Sequence, residues 1–176
     1  MSSTSAESTE QTVRIERVEW GDDRAAALRA AMDDEIGPRY AELQAALTAD
    51  QQELRASAFV LDPATLAGVY LAIDSDGTPL GHAALRRLET ENGVEWELKR
   101  LVTIAAARGR GVGTLLIDAV ERDAVANGAS RLVLQTGIKQ PEAIALYKKL
   151  GYEPIAEYGP YVGKVPEGLY FARALG

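Results

Sequence analysis

Apolar and polar positions alternate along the chain with two periods, and the switches between them mark out its elements. Val13 to Glu19 has the alternation of a half-buried strand, and Asp22 to Asp34 sets Ala25, Leu28, Ala31 and Met32 on one helical face behind an aspartate suited to capping. Pro38 opens a short helix that runs through Leu47. Ala49 to Asp62 is ambiguous: a polar helical stretch carries Phe59 and Leu61, which suits a mobile segment over an acceptor site. Val69 to Ile73 and Leu80 to Leu88 flank the turn Asp74-Ser75-Asp76-Gly77 as a hairpin, and Glu89 to Gly93 turns into a strand from Val94 to Thr103. Thr114 to Ala126 is an amphipathic helix whose apolar stripe is Val112, Leu115, Leu116, Ala119 and Val120, with Asp118, Glu121, Arg122 and Asp123 turned away. Arg131 to Thr136 is a short strand, and Gln140-Pro141 opens a helix that Gly151 closes. Tyr152 to Ile155 and Leu169 to Arg173 supply two more strands. Strands and helices mixed in this way predict an α/β (α+β) domain.

Between a strand and a helix lies Arg108-Gly109-Arg110-Gly111-Val112-Gly113. A glycine turn there presents bare backbone N–H groups and two guanidinium side chains where a pyrophosphate could sit. Gly111 and Gly113 let a large oxyanion approach with no Cβ in the way, and they tolerate positive φ. A P-loop is excluded, because Val112-Gly113-Thr114 stands where that motif needs glycine, lysine and a hydroxyl residue. The dinucleotide fingerprint fits poorly, since Thr114 occupies its last glycine position. An ordinary glycine turn is the alternative. In the late helix Ala143, Ile144, Tyr147 and Leu150 recur at helical spacing, so Tyr147 is either a core aromatic or a residue offering its hydroxyl at the sheet edge.

Composition narrows the chemistry. With 176 residues and 47% apolar content the chain can build one core of ordinary size. A net charge of −7 argues against nucleic-acid binding and favours a cationic or amine substrate. Zero cysteines exclude disulfides, thiolate metal sites and a cysteine nucleophile, and with one histidine no metal site is expected. That histidine, His82, lies in the strand run Gly81-His82-Ala83-Ala84-Leu85 and reads as a packed, hydrogen-bonded residue. Residues 1–12 are rich in Ser, Thr and Glu and read as a disordered tail, leaving 13–175 as the domain. No apolar run approaches the roughly 20 residues that span a membrane, so a cytoplasmic protein is expected.

Three separated segments carry a resemblance: Glu97-Leu98-Lys99-Arg100-Leu101-Val102-Thr103, then Arg108-x-x-Gly111-x-Gly113, then Gln140-x-x-Ala143-x-x-Leu146-Tyr147-Lys148-Lys149-Leu150-Gly151-Tyr152. In type and order they resemble the GCN5-related N-acetyltransferase (GNAT) family, and the run from Thr136 to Glu142 looks like that of a bacterial subset. The first third of the chain matches only in broad pattern. The resemblance implies a single GNAT-like domain, with a mixed central sheet of about six to seven strands flanked by about four helices. It also implies acetyl-coenzyme A as co-substrate. Arg108, Gly109, Arg110, Gly111, Val112, Gly113 and Thr114 would hold its pyrophosphate, Leu101, Val102 and Thr103 would lend backbone groups to the pantetheine arm, and Gln140 would reach a cofactor amide where many relatives carry Asn.

By the same resemblance Tyr147 would protonate the departing thiolate, for which a phenol pKa near 10 is suited. An alkylamine with pKa near 10.4 is less than about one part in a thousand neutral at pH 7, so a base is wanted. Glu97 stands where relatives often place one; anchoring the substrate ammonium, or pairing with Lys99 or Arg100, is the other reading. The implied reaction is direct attack of a primary amine, of a small molecule or amino acid ahead of a protein, on the thioester in a ternary complex. Backbone N–H near Leu101 to Thr103 would polarise the carbonyl. A catalytically silent acetyl-CoA-binding sensor is the competing class. Tyr158, Pro160, Tyr161 and Lys164, in the loop 156–167, either line the acceptor pocket or pack locally, and Arg100 and Arg39 could recognise a carboxylate. Dimers are common in the family, which admits a homodimer here.

Overall fold

The computed structural model describes residues 12–176, so the expected tail lies, apart from Thr12, outside the described residues. Seven strands form one mixed sheet. β1 (Arg14–Val18), β2 (Leu66–Ile73), β3 (Pro79–Thr90) and β4 (Gly93–Thr103) are antiparallel neighbours in that order. β5 (Arg131–Gly137) joins β4 in parallel, β7 (Gly168–Ala174) runs antiparallel to β5, and the two-residue β6 (Glu153–Pro154) closes the far edge. The hairpin of β2 and β3 about Asp74 to Gly77 is the expected one, with β2 beginning earlier, at Leu66.

Local chemistry explains the helices. α1 (Asp23–Ile36) starts where Asp22 accepts from the backbone N–H of Arg24 and Ala25. The helix expected from Pro38 begins as a 3₁₀ turn, Gly37–Tyr40, before α2 (Ala41–Ala46). The ambiguous stretch from Ala49 resolves into α3 (Ala49–Ala58), because Thr48 and Gln51 form a reciprocal capping box. α4 (Val112–Ala126) starts at the last turn of the glycine motif, and α5 (Pro141–Lys149) has proline in its first turn. Leu116, Ile117, Val120 and Ala124 of α4 pack with Leu85, Leu98, Leu132 and Leu134 on one face of the sheet. Ala25 and Leu28 of α1 cover Val69, Leu71, Ile73 and Ala84 on the other. Among the described residues no helix is long and apolar enough to cross a membrane.

Two irregularities of β4 position the site. Its pairing with β5 is confined to Glu97 with Val133 and Leu98 with Leu134, so the two strands part beyond Leu98 and the sheet opens. On the β3 side the partner shifts from Val102, opposite His82, to Lys99, opposite Ala84, which puts an extra residue into β4. That bulge contains Arg100 at φ 53, the one positive φ outside glycine among the described residues. His82 fastens it: Nδ1 lies 2.8 Å from the Arg100 carbonyl, and since a carbonyl only accepts, Nδ1 carries the hydrogen. Nε2 is then left to accept from Arg29 Nη1 at 3.2 Å, and the Arg29 guanidinium lies 3.6 Å from the centroid of the Trp20 ring. Burial holds the His82 imidazole neutral, its pKa depressed to about 4.

Candidate active site

Two cavities, of about 490 and 370 Å³, occupy the opening between β4 and β5. Met32, Ile36, Leu101, Gln140 and Ala143 border both, so they form one continuous two-chambered cleft.

The smaller chamber is walled by the expected cofactor residues: Leu101, Val102 and Thr103 from β4, then Arg108, Gly109, Gly111, Val112, Gly113 and Thr114, with Gln140 opposite. Gly109 and Gly111 have φ of 79 and 75, and a Cβ on either would meet nothing within 4 Å, so their open side is free space and the positive φ is what demands glycine. Gly111 is the N-cap of α4 with no side-chain cap, which leaves the first helical N–H groups available to an anion. Gly113 serves packing instead: a Cβ there would come within 3.0 Å of Leu146 Cδ2.

The two arginines of the turn part company. Arg108 Nη2 lies 2.7 Å from both carboxylate oxygens of Glu35 at the end of α1. Glu35 also accepts from Arg39 at 3.1 Å, and Arg39 in turn donates to Glu142 and to the Lys139 carbonyl at the start of α5. This chain of charges crosses the cleft. Arg110 instead donates to Asp74 at 3.2 Å and does not line the chamber, so the side chain expected on the pyrophosphate is committed to the β2–β3 turn.

The larger chamber is lined by apolar and aromatic groups, among them Tyr40, Phe59, Leu61 and Leu98, and by the charged side chains of Asp33, Arg55, Lys99, Arg100 and Glu167. Tyr40 sits against Gly137, where a Cβ would fall 1.9 Å from its hydroxyl oxygen, and that hydroxyl accepts from the Lys139 N–H at 3.1 Å. Both expected carboxylate readers are occupied, Arg100 by Asp33 at 2.6 Å and Arg39 by Glu35 and Glu142. Arg55 pairs with Glu167 through Oε1, while Glu167 Oε2 is buried with no hydrogen-bond partner.

Tyr147 combines both sequence readings. Its ring is 6% exposed and packs on Tyr152 and Phe171, at 5.9 and 6.3 Å between centroids. Its hydroxyl has no hydrogen bond to any described group, and the residue lines the larger chamber one helical turn beyond Ala143. Burial pushes its pKa well up, which keeps the proton on the phenol.

Glu97 stands differently from the expected base. It is fully buried and lines neither chamber; Oε2 accepts from Arg86 at 2.9 Å and Oε1 from the Tyr161 hydroxyl at 2.6 Å. The cause is position along β4. Glu97 lies in the stretch still paired to β5, whereas Lys99, on the same face, lies past the last pair, where the strands have parted. Lys99 therefore reaches the chamber and Glu97 stays behind it, 3.4 Å from Nζ. Lys99 is thus within reach of Glu97, and the nearer cation is Arg86, which the sequence did not point to. Tyr158 and Tyr161 pack with Tyr170 in an aromatic cluster, and Lys164 donates to Ser57 of α3, so the late loop packs locally and contributes only Glu167 to the wall. Lys99 sat within the motif, yet nothing in the sequence set it apart; Tyr40, Arg55 and Glu167 carried no local signal.

Comparison with known proteins agrees with this architecture. The profile described as the acetyltransferase (GNAT) family matches residues 18–152. An "IAA acetyltransferase" of Azospirillum brasilense is 37% identical over 106 residues, 60% of this chain and 67% of that protein. The N-alpha-acetyltransferase RimI of Mycobacterium tuberculosis is 29% identical over 117 residues, 66% of this chain and 72% of its own. A crystal structure from Klebsiella pneumoniae subsp. pneumoniae, described as a putative acyl-CoA N-acyltransferase, superposes with TM-score 0.72 at 27% identity over 94% of this chain and 99% of that one. With its split mixed sheet and glycine turn, the chain belongs to the acetyltransferase (GNAT) family, and it is an acyltransferase of that family, whose members use acetyl-CoA.

Proposed function

We propose that this protein transfers the acetyl group of acetyl-CoA to a primary amine of a small molecule by direct attack. One observation carries the reading: an unpaired, protonated Tyr147 hydroxyl stands in the wall of a cleft whose other chamber ends on the open N-terminus of α4. The N-terminus and Arg108 suit the pyrophosphate, and the parted edge of β4 from Leu101 to Thr103 suits an extended amide-bearing arm that needs backbone partners. A thioester carried along that edge would reach the junction at Leu101, Gln140 and Ala143. Tyr147, one turn further along α5, is the nearby group able to give a proton to the leaving sulfur.

The larger chamber suits the acceptor. Phe59, Leu61 and Tyr40 favour an apolar body, and the Glu167 carboxylate in the wall suits an ammonium head. Calorimetric titration of acetyl-CoA, followed by thiol release across a panel of amines, amino acids and peptides, tests the reading. Saturable binding with amine-dependent release is expected. Binding without release from any of them would favour the silent sensor, and absence of binding would overturn the cofactor assignment.

A further inference from the structure

We infer that Lys99, and not Glu97, is the base that takes the proton from the acceptor's ammonium group; the inference rests on the acetyl-transfer reading above. Lys99 borders the acceptor chamber with a side chain 11% exposed, and Nζ donates to the Tyr161 hydroxyl at 2.8 Å. Behind it lies a nearly dry cluster in which Arg86 and Glu97, 5% and 0% exposed, pair at 2.9 Å. Arginine stays protonated in proteins, so Arg86 already neutralises the single carboxylate. A charged Lys99 would add a second cation to the cluster.

Among the described residues, the other carboxylates near it already have partners of their own. On β4, Arg100 is paired with Asp33; on α3, Arg55 is paired with Glu167. The packed aromatic cluster adds the hydroxyls of Tyr158, Tyr161 and Tyr170, whose pKa values burial raises, and beside Tyr170 the Glu157 carboxylate, which accepts from the Gly163 N–H at 3.1 Å. The cluster balances when Lys99 is neutral, with one N–H donated to Tyr161 and the lone pair left for the chamber. Burial, together with repulsion from Arg86 and Arg100, lowers the lysine's pKa, and Glu97 opposes that shift.

The proton balance follows. The acceptor ammonium gives a proton to Lys99 Nζ and becomes a neutral amine. Its nitrogen attacks the thioester carbon, the C–N bond forms, and the C–S bond breaks with its electron pair going to sulfur. Tyr147 gives its phenolic proton to the thiolate and recovers the proton that the new amide nitrogen sheds. Lys99, now an ammonium beside Glu97, returns its proton to solvent. Glu97 thus acts as a positioning residue that steadies the protonated base.

The test uses the full chain. Side-chain ¹³Cε resonances of the lysines are followed from pH 6 to 11, with Lys99 assigned by its disappearance in Lys99→Arg. We expect Lys99 to titrate at least about one pH unit below Lys139, Lys148, Lys149 and Lys164. Co-titration with those four would overturn the inference. With 2-phenylethylamine as acceptor, Lys99→Arg and the neutral Lys99→Met should each lower kcat by about 10² or more and remove the acidic limb of the kcat/KM profile, with acetyl-CoA affinity unchanged. Lys99→Met keeps the charge balance and should unfold at the wild-type temperature, which separates loss of a base from loss of fold. Retention of kcat and of the limb in both variants would also overturn it. Failure of the wild-type protein to bind acetyl-CoA would strike the acetyl-transfer reading instead, since the lysine titration is read without it.

Discussion

Tyr147 has a ring that belongs to the core and a hydroxyl that belongs to the cleft, and substitution can separate the two. Tyr147→Phe keeps the contacts with Tyr152 and Phe171 and removes only an oxygen that bonds to no described group. Stability should change by less than about 1 kcal/mol while kcat falls by about 10² to 10⁴, with acetyl-CoA affinity unchanged in calorimetry. Unchanged turnover would remove the tyrosine from the acid role. His82 makes a different demand, on pH. Its imidazole titrates near 6.5 in an unfolded chain and about 4 in the fold, so between those values the unfolded state holds a proton that the folded state lacks. Stability from this group is complete above pH 6.5 and drains as pH falls towards 4, by on the order of 3 kcal/mol. His82→Gln, neutral throughout, should unfold thermally with a flatter dependence on pH across that window than the wild type; parallel curves would refute the assignment.

Among the elements, the glycine turn was the most legible, because its two positive-φ positions strongly favour glycine and the chain spells it out. Gly111→Val forces a β-branched residue to φ 75 in the chamber wall. Acetyl-CoA affinity should fall by about 100-fold or more in a protein whose circular dichroism is unchanged, and tight binding by that variant would refute the turn as the anion site. The bulge in β4 was illegible for the opposite reason: its left-handed position is held by Arg100, a residue with no preference for it, and the clamp that keeps it there comes from β3. The helix from Ala49 carried its own start signal, Thr48 and Gln51, but the apolar Phe59 and Leu61 beyond it obscured where it ended.

On the scale of the molecule, the succession of strands and the helix crossover between β4 and β5 could be followed along the chain, since both depend on periodicity and turn chemistry. The residue at which two parallel strands separate has no such signature. It depends on what packs between them, and it decides that Lys99 faces the chamber while Glu97 faces the core. The acceptor wall was hidden for a related reason, because Tyr40, Arg55 and Glu167 come from three distant segments that meet only in the fold.

The chain of charges across the cleft has a bearing on affinity. Without cofactor, Arg108 is already saturated by a carboxylate from its own chain. If Arg108 serves the pyrophosphate as proposed, Glu35 is a tethered competitor for it that an arriving coenzyme would have to evict. Glu35→Gln should therefore bind acetyl-CoA more tightly than the wild type by up to about five-fold, the equivalent of the roughly 0.2–1 kcal/mol held in such a half-exposed pair, with the gain shrinking as salt is added. Equal affinities in calorimetry would show that Arg108 does not serve the phosphates. On the same reading product release should slow in that variant, the Glu35 contact trading grip on the donor for release of the spent thiol.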